Sequence, residues 1–213
     1  MNKTFWAIVG IIVIVFGGIL IFKDDKQSPT STNSTAKPTN HVIGTNTTGV
    51  TLVEYGDYQC PYCGLYYPTV KQVQDKYKDK IAFQFRNLPL LQVHQNAFAA
   101  ARAAEAAALQ NKFWEMHDLL YENQNTWAQS SNPSPIFEQY AAQLGLNTAQ
   151  FKKDADSDKV NETINADVAE FNKFKVQTST PTFFVNGKKI QPDNTADSFS
   201  KIIDAEIAKQ KKN

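Results

Sequence analysis

Two cysteines, three histidines and two methionines are all that 213 residues offer to soft metals or covalent crosslinks. With no third cysteine, a framework of structural disulfides is excluded. The one possible bridge joins Cys60 to Cys63 in Gln59-Cys60-Pro61-Tyr62-Cys63. It would close a loop too short to stabilise a fold, because the benefit of a crosslink grows with loop length. A structural zinc site takes about four ligands, and His41, His94 and His117 show no finger-like spacing to the cysteine pair. Charge of one sign is also missing: the formal net charge is +1, with acids and bases interspersed. No basic footprint for nucleic acid follows from that. No internal repeat is visible. An isolated Cys-x-x-Cys is suited to reversible dithiol–disulfide exchange. Metal binding and an inert pair of small hydrophobes are its other readings.

Charge is absent altogether from Phe5 to Phe22, an 18-residue apolar run. As a helix it would span about 27 Å, close to the ~30 Å of a hydrocarbon core. Trp6 lies near one end, where an interfacial aromatic belongs. A cleavable signal peptide is the alternative, but the run is long and no Ala-x-Ala-like site follows it. Residues 1–22 are therefore expected to be an uncleaved single-pass anchor. Lys3 on one side and Lys23 and Lys26 on the other leave its orientation open. Residues 23–48 are rich in Ser, Thr, Asn and Pro and bury too little apolar surface to order, so a flexible tether is expected. The Asn33 and Asn46 triplets matter only in a cell that glycosylates exported proteins. About 165 residues remain from position 49 to 213, enough for one domain with a core.

In that domain Val50-Thr-Leu-Val-Glu-Tyr, ended by Gly56, reads as a strand. The Cys-x-x-Cys follows, then a helical pattern from Gly64 to Lys80 carrying Leu65, Tyr66, Val70, Val73 and Tyr77. Pro61 suits a first helical turn, whereas Pro68 is expected to kink the helix. Ile81-Ala-Phe-Gln-Phe-Arg alternates as a second strand. From about 94 to 175 the pattern is helical, with Asn147 and Thr148 reading as a cap. Thr182-Phe-Phe-Val turns at Asn186-Gly187, a hairpin signal, into Lys188-Lys-Ile-Gln. A last helix from about Asp197 to Lys211 puts Phe199, Ile202, Ile203 and Ile207 on one face. The order is β-α-β, a block of helices, then β-β-α.

Cys60-Pro61-Tyr62-Cys63 after a short strand, the helical block, and Ser179-Thr180-Pro181-Thr182-Phe-Phe-Val-Asn-Gly together resemble the DsbA-like thiol–disulfide oxidoreductases. The resemblance runs from about Val50 to the C-terminus. Val53-Glu54-Tyr55 matches the family's acidic position, and Phe113-Trp114-Glu115-Met116-His117-Asp118-Leu119-Leu120 resembles a phrase of its helical domain. It implies an α/β thioredoxin-like fold with an inserted all-helical subdomain, a cis peptide before Pro181 and an extracytoplasmic home. The anchor would then hold its domain outside the cell membrane, where disulfides persist. One departure stands out. Tyr62 occupies the position where the most oxidising members carry histidine, which would help hold a thiolate. Cys-Pro-Tyr-Cys also occurs in reducing or isomerising relatives.

Cys60 is expected just ahead of a helix, where unpaired N–H groups and the dipole favour an anion. It is therefore read as the exposed nucleophile, with Cys63 as the buried resolving thiol. Glu54 on a central strand would be a costly buried carboxylate without a role. It is read as an acid relaying the Cys63 proton, or else as a solvent-facing residue of an edge strand. The resemblance implies substrate contacts at Pro61, Tyr62, Thr180 and cis Pro181. Tyr58, Tyr62 and Tyr66 border a groove or pack beneath the first helix. His94 is read as opening a helix, and His117, Trp114 and Trp127 as insertion-core or surface residues. No cofactor and no resident metal are expected. The partners expected are cysteine-containing exported proteins and a separate redox partner protein. The enzyme reading is an oxidase, with a reductase or isomerase of the same fold as its reverse. A copper-delivery module is the other class, weakened by the lack of a placed third ligand. The full-length chain is expected to stay with membranes through a high-salt wash, because screening does not displace an apolar helix. Mass spectrometry finding a mature N-terminus within residues 23–48 would reverse that reading.

Overall fold

The structure, a computed structural model, describes residues 36–212. The expected membrane helix and the tether up to residue 35 lie outside the described residues. Among the described residues no helix is long and apolar enough to cross a membrane. In chain order the elements begin with β1 (His41–Ile43), β2 (Thr51–Gly56), α1 (Pro61–Tyr77) and β3 (Ala82–Asn87). A helical block follows: α2 (Ala97–Ala108), α3 (Phe113–Glu122), α4 (Gln124–Trp127), α5 (Ser134–Gln143), α6 (Thr148–Ala155) and α7 (Asp158–Lys173). The chain then returns to the sheet with β4 (Thr182–Val185), β5 (Lys188–Ile190) and α8 (Ala196–Gln210). This is the expected α/β order with an all-helical insertion, and α1 runs through Pro68.

The five strands lie in the order β1-β3-β2-β4-β5. β2 is parallel to β3, with Leu52 opposite Phe83 and Glu54 opposite Phe85. On its other side β2 runs antiparallel to β4, and Glu54 faces Phe183 across the ladder. Asn186 and Gly187 take positive φ of 47° and 78° in the turn to β5, as a tight Asn-Gly hairpin requires. Side-chain alternation gives the two faces separate cores. Leu52 packs with Val70, Val73, Tyr77, Phe199, Ile203 and the cysteines. Tyr55 packs with Phe171 and Phe184 on the opposite face, beneath Phe174. The helix caps are local: Asn147 Oδ1 accepts from Gln150 N at 3.0 Å, and Ser157 and Thr195 cap α7 and α8.

Residues 23–48, expected to be a tether, include a strand. His41–Ile43 forms β1, antiparallel to β3 with His41 opposite Phe85. Three residues in an Asn/Thr-rich context carry no strand periodicity, so their order comes from tertiary partners. Asp167, fully buried on α7, accepts the Thr39 N–H at 2.7 Å and its hydroxyl at 2.8 Å. The same carboxylate accepts the Asn87 N–H at 2.9 Å and Arg86 Nη1 at 3.2 Å. Glu105 on α2 meets His41 Nε2 and Asn87 Nδ2 at 2.9 and 2.7 Å. Buried polar groups cost little when so fully partnered, and much when one partner is removed. Asp167→Ala is expected to lower the unfolding free energy by about 3–5 kcal/mol, read from urea denaturation of the purified protein. A loss below about 1 kcal/mol would show that the anchoring network is not what holds β1 to the domain.

Candidate active site

β2 ends at Gly56, where a Cβ would run into the Phe85 ring. The chain then turns through Asp57-Tyr58-Gln59 into α1. Asp57 shapes that turn: its Oδ1 accepts the Gln59 N–H at 2.8 Å, and its carbonyl accepts the Cys60 N–H at 3.1 Å. Its other oxygen accepts the Leu90 N–H at 2.9 Å and meets His94 Nδ1 at 2.7 Å. His94 therefore stands ahead of α2 and reaches the turn, rather than opening the helix. Cys60 is the N-cap residue of α1, with extended backbone at φ −65° and ψ 122°, and Pro61 follows in the first turn.

The expectation of an exposed Cys60 is corrected: the residue is only 5 % exposed. Its thiol donates to the Thr180 carbonyl at 3.4 Å, because the segment before β4 folds over the end of α1. The thiol pKa is nevertheless brought down from 9.0 to about 6. The largest cause is a hydrogen bond from the Cys63 side chain. Burial opposes it, and the Thr180 side chain and the backbone N–H groups of Cys63 and Tyr62 add to it. The Thr180 hydroxyl is buried without a hydrogen-bond partner, and the influence of its side chain on the sulfur is smaller than that of Cys63. Cys63 is fully buried on α1, and its Sγ accepts the Asp57 N–H at 3.5 Å. Burial first, and then the neighbouring Cys60 and Glu54, push its thiol well above the ordinary range. The two thiols are thus driven apart, one towards thiolate and one towards the protonated form.

Glu54 lies on the central strand, not at an edge, and is 3 % exposed. Strand alternation puts it on the Leu52 face, the side that holds the cysteines. Burial, and after it the charge of Cys60, raises its pKa from 4.5 to about 8. At neutral pH this carboxyl therefore keeps its proton.

Thr180-Pro181 is a cis peptide. With Tyr62, Tyr66, Ser179, Thr182 and Ile190 these residues line a cleft of about 280 Å³. Tyr62 is 66 % exposed and Pro61 is exposed beside it, outside the cleft lining. Tyr58 is buried and packs on Phe85 and Tyr121, so of the three tyrosines only Tyr62 and Tyr66 reach the groove. His117 belongs to the core of the insertion: its Nδ1 meets Tyr58 Oη at 3.1 Å, and burial lowers its pKa from 6.5 to about 3. Trp127 is fully buried and Trp114 half-buried.

Three residues around the cysteines had no sequence signal of a role: Gln59, Asn96 and Gln124. Gln59 Nε2 donates to the Ala128 carbonyl at 2.6 Å and its Oε1 accepts the Asn96 N–H at 2.6 Å. Asn96 Nδ2 donates to the Ser130 carbonyl at 2.8 Å. Gln124 Nε2 donates to the carbonyls of Tyr58 and Cys60 at 2.7 and 2.9 Å. Asp57, by contrast, was readable: an Asp two residues before a polar residue at a helix entry is a known turn former.

A family model described as Thioredoxin matches residues 36–205. Among curated relatives, the Na(+)/H(+) antiporter NhaA 3 of Salinispora tropica is 40% identical over 150 residues, 70% of this chain and 22% of the antiporter. The Na(+)/H(+) antiporter NhaA 1 of Mycolicibacterium gilvum is 37% identical over 152 residues, 70% of this chain and 24% of the antiporter. The chain thus spans about a quarter of the length of these relatives. Among solved structures, oxidised BdbD from Bacillus subtilis superposes with a TM-score of 0.70 at 24% identity, over 81% of this chain and 97% of that one. Alpha-DsbA1 of Wolbachia pipientis gives 0.69 at 20% identity, over 82% and 94%. A thioredoxin-like oxidoreductase from Silicibacter pomeroyi gives 0.64 at 26% identity, over 78% and 90%. The chain belongs to the thioredoxin family, and its fold, helical insertion included, is similar to those of BdbD and alpha-DsbA1.

Proposed function

We propose that this protein is a membrane-tethered, extracytoplasmic thiol–disulfide oxidoreductase that introduces disulfides into exported proteins. The observation that carries the reading is the placement of the pair at the start of α1: Cys60 at the N-cap, its pKa brought down to about 6, with Cys63 fully buried behind it and its thiol pushed up. A thiolate is the nucleophile and the leaving group of exchange. In the oxidised protein a substrate thiolate attacks Cys60 Sγ. The Cys60–Cys63 bond breaks, a mixed disulfide forms, and Cys63 leaves as a thiolate. Glu54, protonated at neutral pH, is the acid that supplies a proton towards that buried sulfur. A second substrate thiolate then attacks the substrate sulfur of the mixed disulfide and expels Cys60, which its low pKa makes a good leaving group. The substrate gains one disulfide and the protein is left as the dithiol, having taken two electrons. A separate redox partner must remove them.

The direction follows from the same balance. Whatever stabilises the Cys60 thiolate stabilises the reduced form and makes the disulfide a stronger oxidant. Tyr62 brings no charge to that thiolate, so a reductase is the second reading, and the glutathione equilibrium decides between them. The cleft beside Thr180-Pro181 suits an extended substrate segment, its backbone lying along that of Thr180.

Cys60→Ser is expected to abolish oxidation of a dithiol peptide by the full chain, and Cys63→Ser to accumulate mixed disulfides on Cys60. Adducts on non-reducing gels only in Cys60→Ser would reverse the two roles.

The pH dependence has a definite sign. Because the Cys60 pKa lies below its unfolded value, the reduced form gains stability that is complete above about 9 and lost as pH falls through about 6. Alkylation of the reduced protein by iodoacetamide should therefore rise with a midpoint near pH 6 at Cys60. Cys63 should remain unmodified throughout. A midpoint near the ~8.5 of a free cysteine would remove the basis for this reading.

A further inference from the structure

The helical insertion grips the redox turn through amide side chains, and one of them reaches the nucleophile's own peptide. Gln124 opens α4, 64 residues from Cys60 in the chain. Its Nε2 donates both to the Tyr58 carbonyl at 2.7 Å and to the Cys60 carbonyl at 2.9 Å. The Cys60 carbonyl is also the first acceptor of α1, taking the Gly64 N–H at 3.1 Å. Gly64 faces the same side chain: a Cβ there would lie 2.6 Å from Gln124 Oε1. Among the described residues, the only side chain donating a hydrogen bond to the Cys60 carbonyl is that of Gln124.

We propose that Gln124 is a positioning residue for the redox centre, its carboxamide holding the Tyr58 and Cys60 carbonyls so that the Cys60 sulfur stays against the first N–H groups of α1. This rests on the reading of Cys60 as the nucleophile. The physical case has two parts. Cys60 has no side-chain cap of its own to fix the turn, so its extended backbone at the helix entry is set by what binds its peptide groups. Its N–H is taken by the Asp57 carbonyl and its C=O by Gly64 and Gln124. In addition, a donor on each carbonyl offsets the negative end of a dipole beside the sulfur, which leaves the helix N–H groups to dominate the local field. Gln59 and Asn96 fasten the same turn to Ala128 and Ser130, but neither touches a peptide group of Cys60 or Cys63. Gln124 alone among the three acts on the reacting residue's own peptide.

The test compares wild type, Gln124→Met, which keeps length and volume but cannot donate, and Gln124→Glu, whose carboxylate cannot donate and adds a like charge. Each full-length protein is titrated by thiolate absorbance and equilibrated with glutathione, and its thermal unfolding is measured separately. A net hydrogen bond is worth a factor of about two to ten in equilibrium. Gln124→Met should therefore raise the Cys60 pKa and favour the oxidised protein over glutathione by about that factor, and Gln124→Glu should do so more strongly. Arg102→Ala, on α2 and bonded to Asn161, should change neither quantity. Wild-type values in both Gln124 variants overturn the proposal, and so does a lowered melting temperature with an unchanged Cys60 pKa. If Gln124→Met fails to fold, Gln124→Glu decides it alone by the same readings. A wild-type protein with no exchange activity and an ordinary Cys60 pKa would instead overturn the underlying function.

Discussion

Holding a sulfur anion in a nearly water-free place is the constraint around which this structure is arranged. A charge removed from water is costly unless donors replace the solvent. Cys60 obtains them first from the Cys63 thiol, and also from the start of α1, where the Tyr62 and Cys63 N–H groups have no helical acceptor. The Thr180 side chain adds to them. Each donor belongs to a different local device: the helix entry, the spacing of three between the cysteines, and the cis turn into β4. The fold has to bring β2, α1 and β4 to one point for the set to exist. Adjacent placement of β2 and β4 in the sheet does that.

The same surroundings that favour a thiolate at Cys60 disfavour charge one helical turn deeper. Cys63 sits behind the donors in the apolar cluster formed with Leu52, Phe85 and Phe183, and Glu54 lies opposite Phe85 and Phe183 across the ladder. Burial raises both their pKa values. A gradient of solvation over a few residues thus separates an anionic sulfur from two groups that keep their protons. The insertion contributes by closing this region from the side: Tyr58, His117 and Tyr121 stack there, and Gln124 seals the turn by its hydrogen bonds. Asp167 and Glu105 perform a separate task, tying β1 and β3 to α7 and α2.

Much of this was legible from local pattern. The strand before the cysteines, the Pro61 helix start, the alternation of Ala82–Asn87, the Asn147 cap and the Asn-Gly hairpin each depend on residues within a few positions of one another. Periodicity and turn chemistry carry such information directly. The cysteine spacing named the chemistry for the same reason. β1 was not legible, because its three residues and the Thr39 before them, held by partners up to 128 positions away, leave no period to read. The burial of Cys60 under Thr180 was missed likewise, since the contact spans 120 positions.

The sequence by itself therefore determined all but the first strand, the order of the elements and the spacing of the cysteine pair, because helix, strand and Cys-x-x-Cys geometry are short-range properties of the chain. The tertiary structure alone decided which carboxylates are buried and which amide side chains grip the redox turn. It also decided how far the two thiols part in acidity. Those are matters of solvation and of hydrogen bonds between distant segments, and both exist only after the sheet has paired and the insertion has closed over it.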